Sequence, residues 1–135
     1  MDPKAMNPIA LAFLGDALYE QFIRERLVRA GVGGGHADRL HSAAVRYVCA
    51  GSQAKAMAHL NGLAAEDAGL SEEEASVARR ARNHKIATKP KNADAAEYKS
   101  ATAFEALLGY LYLSDRKDRC LEIMEKAAIY TEESK

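Results

Sequence analysis

The sequence predicts an all-α protein of five to seven helices, and three observations support this. Apolar residues recur at three- and four-residue spacing through most of the chain, as on the buried face of a helix. Capping signals precede two of these segments, since Ser71 and Asp94 each stand three residues ahead of a glutamate. The alternation of apolar and polar residues that marks a half-buried strand is not sustained anywhere.

The first half of the chain divides into three predicted helices. Pro8 suits the first turn of a helix that runs to about Ala30 and ends in the glycine-rich segment 31–35. We expect this helix to bury Leu11, Leu14, Ala17, Leu18 and Phe22. A second helix is predicted from about Ala37 to Ala50, and Ser52 is placed as the cap of a third, which Gly62 closes.

The second half of the chain predicts three more helices around a basic loop. The capping box of Ser71 and Glu74 opens the fourth helix, which ends near Asn83. The segment from about 84 to 94 lacks helical periodicity and contains Pro90, so we interpret it as a loop. The fifth helix is predicted over 95–113, and the last begins at Ser114 or Asp115.

Composition and charge bound the function classes. The 135 residues suit one domain, and 19 basic residues balance 19 acidic ones, so only local clustering of charge is able to attract a nucleic acid. Neither a signal-peptide pattern nor an apolar run of membrane-spanning length is present. Cys49 and Cys120 are isolated from each other, and we expect two buried free thiols in a reducing cytosol. A cytoplasmic protein without a membrane partner is therefore expected.

Two apolar helices each carry a glycine beside an acidic residue. In LAFLGDALYE, Gly15 precedes Asp16, and Glu20 follows one turn later on the same face. In ATAFEALLGYLYL, Glu105 is the only charge between Lys99 and Asp115, and Gly109 lies one turn beyond it. Helices that cross closely at glycines would bring Asp16 and Glu105 together, and Mg²⁺ commonly balances such paired carboxylates. The alternative is a structural ion pair between Glu105 and a buried arginine.

The basic residues concentrate between Arg79 and Lys91, where RRARNHKIATKPK carries six positive charges and no acid. A helix end followed by a loop suits contacts along a phosphate backbone. The alternative is a solvated helix terminus that complements its own dipole. The candidate RNA-contacting residues are Arg79, Arg82, Asn83, Lys85, Lys91 and Asn92.

Together these motifs resemble a known family. FLGDALYE followed about ninety residues later by TAFEALLGYLYL resembles the endonuclease domain of the ribonuclease III family. The order of LAFLGDALYE, LHSAAVRYVCAGSQA, RRARNHK, PKNAD and SATAFEALLGYLYL is similar to its compact bacterial branch, Mini-ribonuclease III, which has no separate double-stranded-RNA-binding domain. The resemblance covers roughly residues 7–130, so residues 1–135 are expected to form a single catalytic domain.

The resemblance implies an all-α homodimer that cleaves double-stranded RNA and leaves 5′-phosphate and 3′-hydroxyl ends. Asp16 and Glu105 would be both the catalytic and the metal-binding residues, with Mg²⁺ as the cofactor and Mn²⁺ able to substitute. The expected substrate is the large-subunit ribosomal RNA precursor, which ribosomal proteins are able to accompany. In the larger family a glutamate stands at the position of Ala12 and an aspartate at that of Thr102. The number of metal ions is therefore left open, as is a role for Glu20.

Two other functions fit parts of the pattern. A non-catalytic, dimeric double-stranded-RNA-binding module would keep the fold, but it has no use for an unpaired acid in an apolar helix. An all-α metal-dependent nucleotide hydrolase usually carries several acids at helical spacing on paired helices, whereas the fifth helix here offers one. Cleavage of long duplex RNA with and without Mg²⁺ separates these possibilities.

Overall fold

Six α-helices build the fold, and the fifth lies at its centre. The computed structural model describes residues 2–85 and 94–134, and within them it contains no strand. The helices are α1 (Pro8–Arg29), α2 (Ala37–Val48), α3 (Ala50–Asn61), α4 (Glu72–Asn83), α5 (Ala95–Leu113) and α6 (Lys117–Glu133). The predicted all-α class is thereby confirmed. None of the helices in the described residues has the length and apolar character needed to cross a membrane.

Helix α5 is central because it is apolar on nearly every side. Ten of the eleven residues from Ala101 to Leu111 are buried. Helices α1, α3, α4 and α6 all pack against α5. Asp94 caps its start as predicted, accepting hydrogen bonds from the backbone N–H groups of Ala96 (2.9 Å) and Glu97 (3.2 Å). A helix that is hydrophobic all round is stable only when it is enclosed, and here four helices enclose it.

The buried face of α1 differs from the predicted one. Leu14, Leu18 and Phe22 are only half-buried and Ala17 is exposed, whereas Gly15 and Tyr19 are buried. The reason is that α5 docks against the small residues of α1, so the face centred on Gly15 turns inward. The periodicity predicted the helix correctly, but it did not predict which face of the helix packs against α5.

The boundary between α2 and α3 also differs from the prediction. Ser52 does not cap α3, because the helix already begins at Ala50 after the single extended residue Cys49. The Ser52 hydroxyl instead donates a 2.5 Å hydrogen bond to the carbonyl oxygen of Arg46 in α2. The expectation of two buried thiols is wrong for one of them, since Cys120 is buried and Cys49 is exposed.

Helix α6 begins at Lys117, later than predicted. Asp115 has a φ of 59°, in the left-handed region, and the N–H of Arg116 donates back to the carbonyl oxygen of Leu111 at 2.9 Å. Residues 114–116 therefore complete the end of α5 instead of starting α6.

The buried glutamate that pairs with arginine is Glu74, at the start of α4. Its side chain completes the capping box with Ser71 and also accepts hydrogen bonds from Arg119 at 2.9 Å and from Arg116 at 3.2 Å. Burial by itself would raise the pKa of Glu74, but the hydrogen bonds and positive charge of Arg119 outweigh it and lower the pKa. This cluster fixes α4 against α6.

Candidate active site

Helices α1 and α5 cross closely at two glycines. A Cβ atom placed on Gly15 would lie 2.6 Å from the carbonyl carbon of Glu105, and one placed on Gly109 would lie 2.9 Å from the carbonyl carbon of Leu11. Both separations are far inside van der Waals contact, so only glycine permits this approach. The predicted close crossing is therefore present in the structure.

The crossing brings the two predicted acids together. Asp16 directly follows Gly15 in α1 and is exposed. Glu105, whose backbone contacts Gly15, lies in α5 and is half-buried. Burial, together with a hydrogen bond and charge repulsion from Asp16, raises the pKa of Glu105 to about 8 from its ordinary value of 4.5. Within the described residues Glu105 forms no salt bridge, so the structural ion pair with arginine is not observed.

A third polar side chain, Gln53 of α3, belongs to the same site. It is 2% exposed, and its amide acts on the Glu105 carboxyl in the direction that lowers the pKa. Its Nε2 atom nevertheless makes no hydrogen bond of regular geometry to any described residue. Sequence reasoning missed Gln53, although it precedes Met57 by one turn on the buried face of α3, where a lone amide among apolar residues is a usable signal.

Two other residues near the acids are engaged elsewhere. Glu20 forms a salt bridge with Arg24 at 3.2 Å, one turn along the same helix. The Thr102 hydroxyl donates to the carbonyl oxygen of Tyr98 at 2.9 Å, which satisfies it within α5. Neither side chain adds to the Asp16–Glu105 pair in this arrangement.

The donor set suits a cation that keeps most of its water. No group of three or more histidine, cysteine, aspartate or glutamate side chains is placed to hold a metal in residues 2–85 and 94–134. Asp16 and Glu105 supply carboxylate oxygens, and their mutual repulsion is what a bound cation would relieve. Mg²⁺ binds proteins in this way, through one or two carboxylates with several waters retained.

A basic hollow lies beside the acidic pair, between α3, α4 and α5. Its volume is about 380 Å³, and Arg79, Arg82 and Asn83 contribute its charged and polar lining from α4, with Asn61 from α3. Met57 also lines it, one helical turn beyond Gln53. The hollow therefore begins about one turn of α3 away from the carboxylates.

The structure describes two of the other basic residues of the run. Arg80 is held by the fold, since its guanidinium donates to the backbone carbonyl oxygens of Lys4 and Met6. Lys85 is exposed at the end of the described segment. Lys91 and Asn92 lie outside the described residues, so their predicted RNA contacts stay predictions, as do those of Arg79, Arg82, Asn83 and Lys85.

Known proteins match both the sequence and the fold. The ribonuclease III domain family matches residues 9–116. Mini-ribonuclease 3 of Symbiobacterium thermophilum is 45% identical over 131 residues, covering 97% of this chain and 95% of the relative, and that of Brevibacillus brevis is 45% identical over 126 residues, covering 93% and 88%. A crystal structure of a protein from Fusobacterium nucleatum superposes with a TM-score of 0.74 at 30% identity, covering 90% of each chain.

The range that matches the family, residues 9–116, spans both helices of the glycine crossing. The matches extend over more than half of the chain, and the relatives are similar along most of their own length. The chain therefore belongs to the ribonuclease III family and is an endoribonuclease, a hydrolase that acts on RNA.

Proposed function

We propose that this chain is a Mg²⁺-dependent endonuclease for double-stranded RNA that acts as a homodimer and leaves 5′-phosphate and 3′-hydroxyl ends. The observation that carries the proposal is the convergence of Asp16 and Glu105 where α1 and α5 touch through Gly15 and Gly109. The ribonuclease III family is generally dependent on divalent metals. Asp16 and Glu105 are the residues that would hold the metal.

The two carboxylates have different tasks in this proposal. Asp16 is exposed, so its oxygens are accessible to a cation that also meets the RNA phosphate. Glu105 is half-buried on an enclosed helix, so its position is rigid. When bound, a divalent cation lowers the pKa of coordinated water and offsets negative charge on the phosphate. The glycine contact fixes the separation of the two helices, so the chain itself sets how far apart the two carboxylates lie.

The basic hollow supports binding of an RNA backbone. Arg79, Arg82 and Asn83 present guanidinium and amide donors on one side of α4, within about a helical turn of the Gln53–Glu105 contact. A-form RNA exposes phosphates and 2′-hydroxyls along a shallow minor groove, so a protein reads its shape more than its sequence. Lys85, Lys91 and Asn92 would extend the contact beyond α4.

An exposed apolar residue beside Asp16 supports the homodimer. Phe13 is 84% exposed and precedes Asp16 by three residues, so both lie on one side of α1, and Ile9 is a further exposed apolar residue one turn before Phe13. Phe13 and Ile9 lie one turn apart and form an exposed apolar patch, the kind of surface that marks a protein–protein contact. A second copy that packs here would place two Asp16–Glu105 sites near one duplex, one for each strand.

The natural substrate is proposed from the resemblance alone. The resemblance to Mini-ribonuclease III implies maturation of the precursor of large-subunit ribosomal RNA, and we propose that role for this chain, with the precursor free or bound to ribosomal proteins. The nucleotide-hydrolase alternative is less well supported, because the described residues gather two acids at the site where that class uses several.

Cleavage assays on defined RNAs test the proposal. A long duplex, its two separated strands and a DNA duplex are incubated with Mg²⁺, with Mn²⁺ and with chelator. Cleavage confined to the RNA duplex in the presence of metal is expected, with products that are ligatable without prior phosphorylation. Degradation of single strands, or cleavage that persists in chelator, would contradict the proposal. The same assay on free and protein-bound large-subunit precursor tests the natural substrate.

A further inference from the structure

We infer that Gln53 is a positioning residue for Glu105: its Nε2 donates to one carboxylate oxygen and leaves the other directed at the metal. The inference rests on the proposed metal site and deepens it, since it assigns to a third helix the task of orienting a ligand. Gln53 itself would touch neither metal nor RNA.

The unpartnered amide is the first observation. Gln53 is 2% exposed, and its Nε2 atom makes no hydrogen bond of regular geometry within the described residues. Buried amide donors nearly always have an acceptor, and one without an acceptor calls for an explanation. The Glu105 carboxyl is the acceptor beside it, since the Gln53 amide already acts on that group. A modest rotation of the carboxyl on metal binding would complete the bond.

The setting of Gln53 is rigid, which positioning requires. Met57 and Leu60, one and two turns further along α3, are both buried in the core against which α5 packs. At the other side, the Ser52 hydroxyl ties the start of α3 to the carbonyl oxygen of Arg46. A donor held from both sides fixes the orientation of its acceptor better than a mobile surface side chain would.

The residue type is also informative. A lysine or arginine in place of Gln53 would neutralise Glu105 and compete with the metal, and an acid would add to the repulsion from Asp16. A neutral amide orients the carboxylate without changing its charge. Glu74, which is buried, shows the contrast, since it is paired with Arg119 and Arg116 and serves the fold. The structural Glu74 thus has cationic partners, whereas Glu105, the proposed metal ligand, has a neutral one.

The test replaces Gln53 with an apolar side chain of similar length, Gln53→Met, and measures Mn²⁺ affinity without RNA from the electron paramagnetic resonance signal of free Mn²⁺. We expect binding about 10- to 100-fold weaker, the usual effect of removing a hydrogen-bond partner of a metal ligand. Melting in chelator should be unchanged or higher, because the unpartnered donor is gone. Saturating Mn²⁺ should restore most of the cleavage rate.

Two further variants make the test decisive. Gln53→Asn keeps the amide but withdraws it by one methylene, so it should also weaken Mn²⁺ binding, and it substitutes for Gln53→Met should that variant not fold. Thr131→Val removes a buried polar group of α6 whose hydroxyl bonds within its own helix, so Mn²⁺ affinity should not change.

The outcomes separate this inference from the proposed function. Unchanged Mn²⁺ affinity in both Gln53 variants would overturn the inference, as would a loss of melting temperature in chelator with no change in affinity, which indicates a purely structural glutamine. If the parent protein itself binds no Mn²⁺ and needs no metal to cleave duplex RNA, the proposed metal site fails first, and the inference fails with it.

Discussion

Gly15 of α1 lies against the backbone of Glu105 in α5, so the residue before one acid touches the main chain of the other. The contact between the two helices and the contact between the two carboxylates are therefore one structural feature. A glycine in mid-helix costs about 1 kcal/mol of helix stability relative to alanine. In this position the glycine is what allows the acids to meet.

Gly15→Ala should therefore damage both stability and activity. The new methyl group would overlap the carbonyl group of Glu105, which is backbone and cannot rotate away, so α1 and α5 must separate. We expect a loss of about 3 kcal/mol in the free energy of unfolding, at the upper end of typical overpacking. Chemical denaturation measures that loss of stability. The rate at which the folded fraction cleaves duplex RNA shows whether separating the acids impairs activity.

Gly62→Ala is the matched control. A Cβ at Gly62 would lie 3.6 Å from the nearest atom, the carbonyl oxygen of His59, and the residue has a right-handed backbone conformation. Stability within about 1 kcal/mol of the parent is expected there. Equal losses in the two variants would show that the crossing tolerates a methyl group.

The sequence was sufficient to predict the caps of α4 and α5 and the meeting of Asp16 and Glu105. A cap depends only on residues close to it in the sequence. A glycine near an acid in each of two apolar helices is likewise recognisable without knowledge of the fold. The inward face of α1 was not predictable in the same way, because Leu14 and Gly15 were equally compatible with helical periodicity. Which one is buried depends on α5, about ninety residues away.

The role of Gln53 was missed for a related reason. Its spacing from Met57 places this single amide on the inward face of α3, but nothing local shows which group it meets there. Its importance emerges only when α5 places Glu105 beside it. The prediction that Cys49 is buried was wrong because the sequence does not show that α3 already begins at Ala50, which leaves Cys49 as an exposed residue between α2 and α3.

The basic run makes a prediction about salt. Replacing Arg82, Lys85 and Lys91 with alanine should weaken binding of duplex RNA and reduce the slope of log affinity against log salt by about one for each lost phosphate contact. Binding is measured in chelator, by fluorescence anisotropy at several salt concentrations, so that cleavage does not interfere. Stability should change little, because Arg82 and Lys85 are exposed and exposed charges contribute little to it.

A control removes positive charges from α6 instead. Lys117→Ala and Lys126→Ala remove positive charges from a helix that does not line the basic hollow, so the salt slope should be preserved. If the slope is the same for the parent and the variant of the basic run, those charges are merely solvated and RNA is bound elsewhere.

The exposed Phe13 predicts the behaviour of the dimer. Phe13→Glu should convert the protein to monomers, since a charge would have to be buried in the apolar contact. Sedimentation velocity at micromolar concentration measures this directly. Leu121→Glu, at a half-exposed apolar position of α6, should remain dimeric. A parent that is a stable monomer and still cleaves duplex RNA would contradict the proposed assembly.

The raised pKa of Glu105 predicts an unusual pH dependence in the absence of metal. The native state holds this proton up to a pH of about 8, whereas the unfolded chain releases it near 4.5. Protonated Glu105 therefore contributes stability that is fully present below 4.5 and is lost as the pH rises through 8. In chelator, the melting temperature of the parent should fall across this interval more than that of Glu105→Gln. Parallel curves would show that Glu105 titrates normally.

The final prediction separates stability from activity. Asp16→Asn and Glu105→Gln each remove one charge and nearly preserve shape, so cleavage should fall at least about a hundredfold as the metal loses a carboxylate ligand. In chelator at pH 8 the same variants should melt no lower than the parent, because the repulsion between the acids is relieved. Added Mg²⁺ should raise their melting temperature less than it raises that of the parent, since ligand binding stabilises by mass action.

Glu74→Gln is the contrasting variant, because Glu74 has two arginine partners, whereas Glu105 forms no salt bridge within residues 2–85 and 94–134. It should lose about 1–3 kcal/mol of stability, with or without Mg²⁺, since the buried charge-assisted hydrogen bonds to Arg119 and Arg116 are weakened and Arg119 keeps only Glu122 as an acidic partner. Thermal melts of the parent and the three variants, in chelator and in Mg²⁺, compare the two kinds of glutamate directly. A large loss of stability for Glu105→Gln in chelator would place Glu105 with Glu74, as a structural residue, and would exclude the metal site.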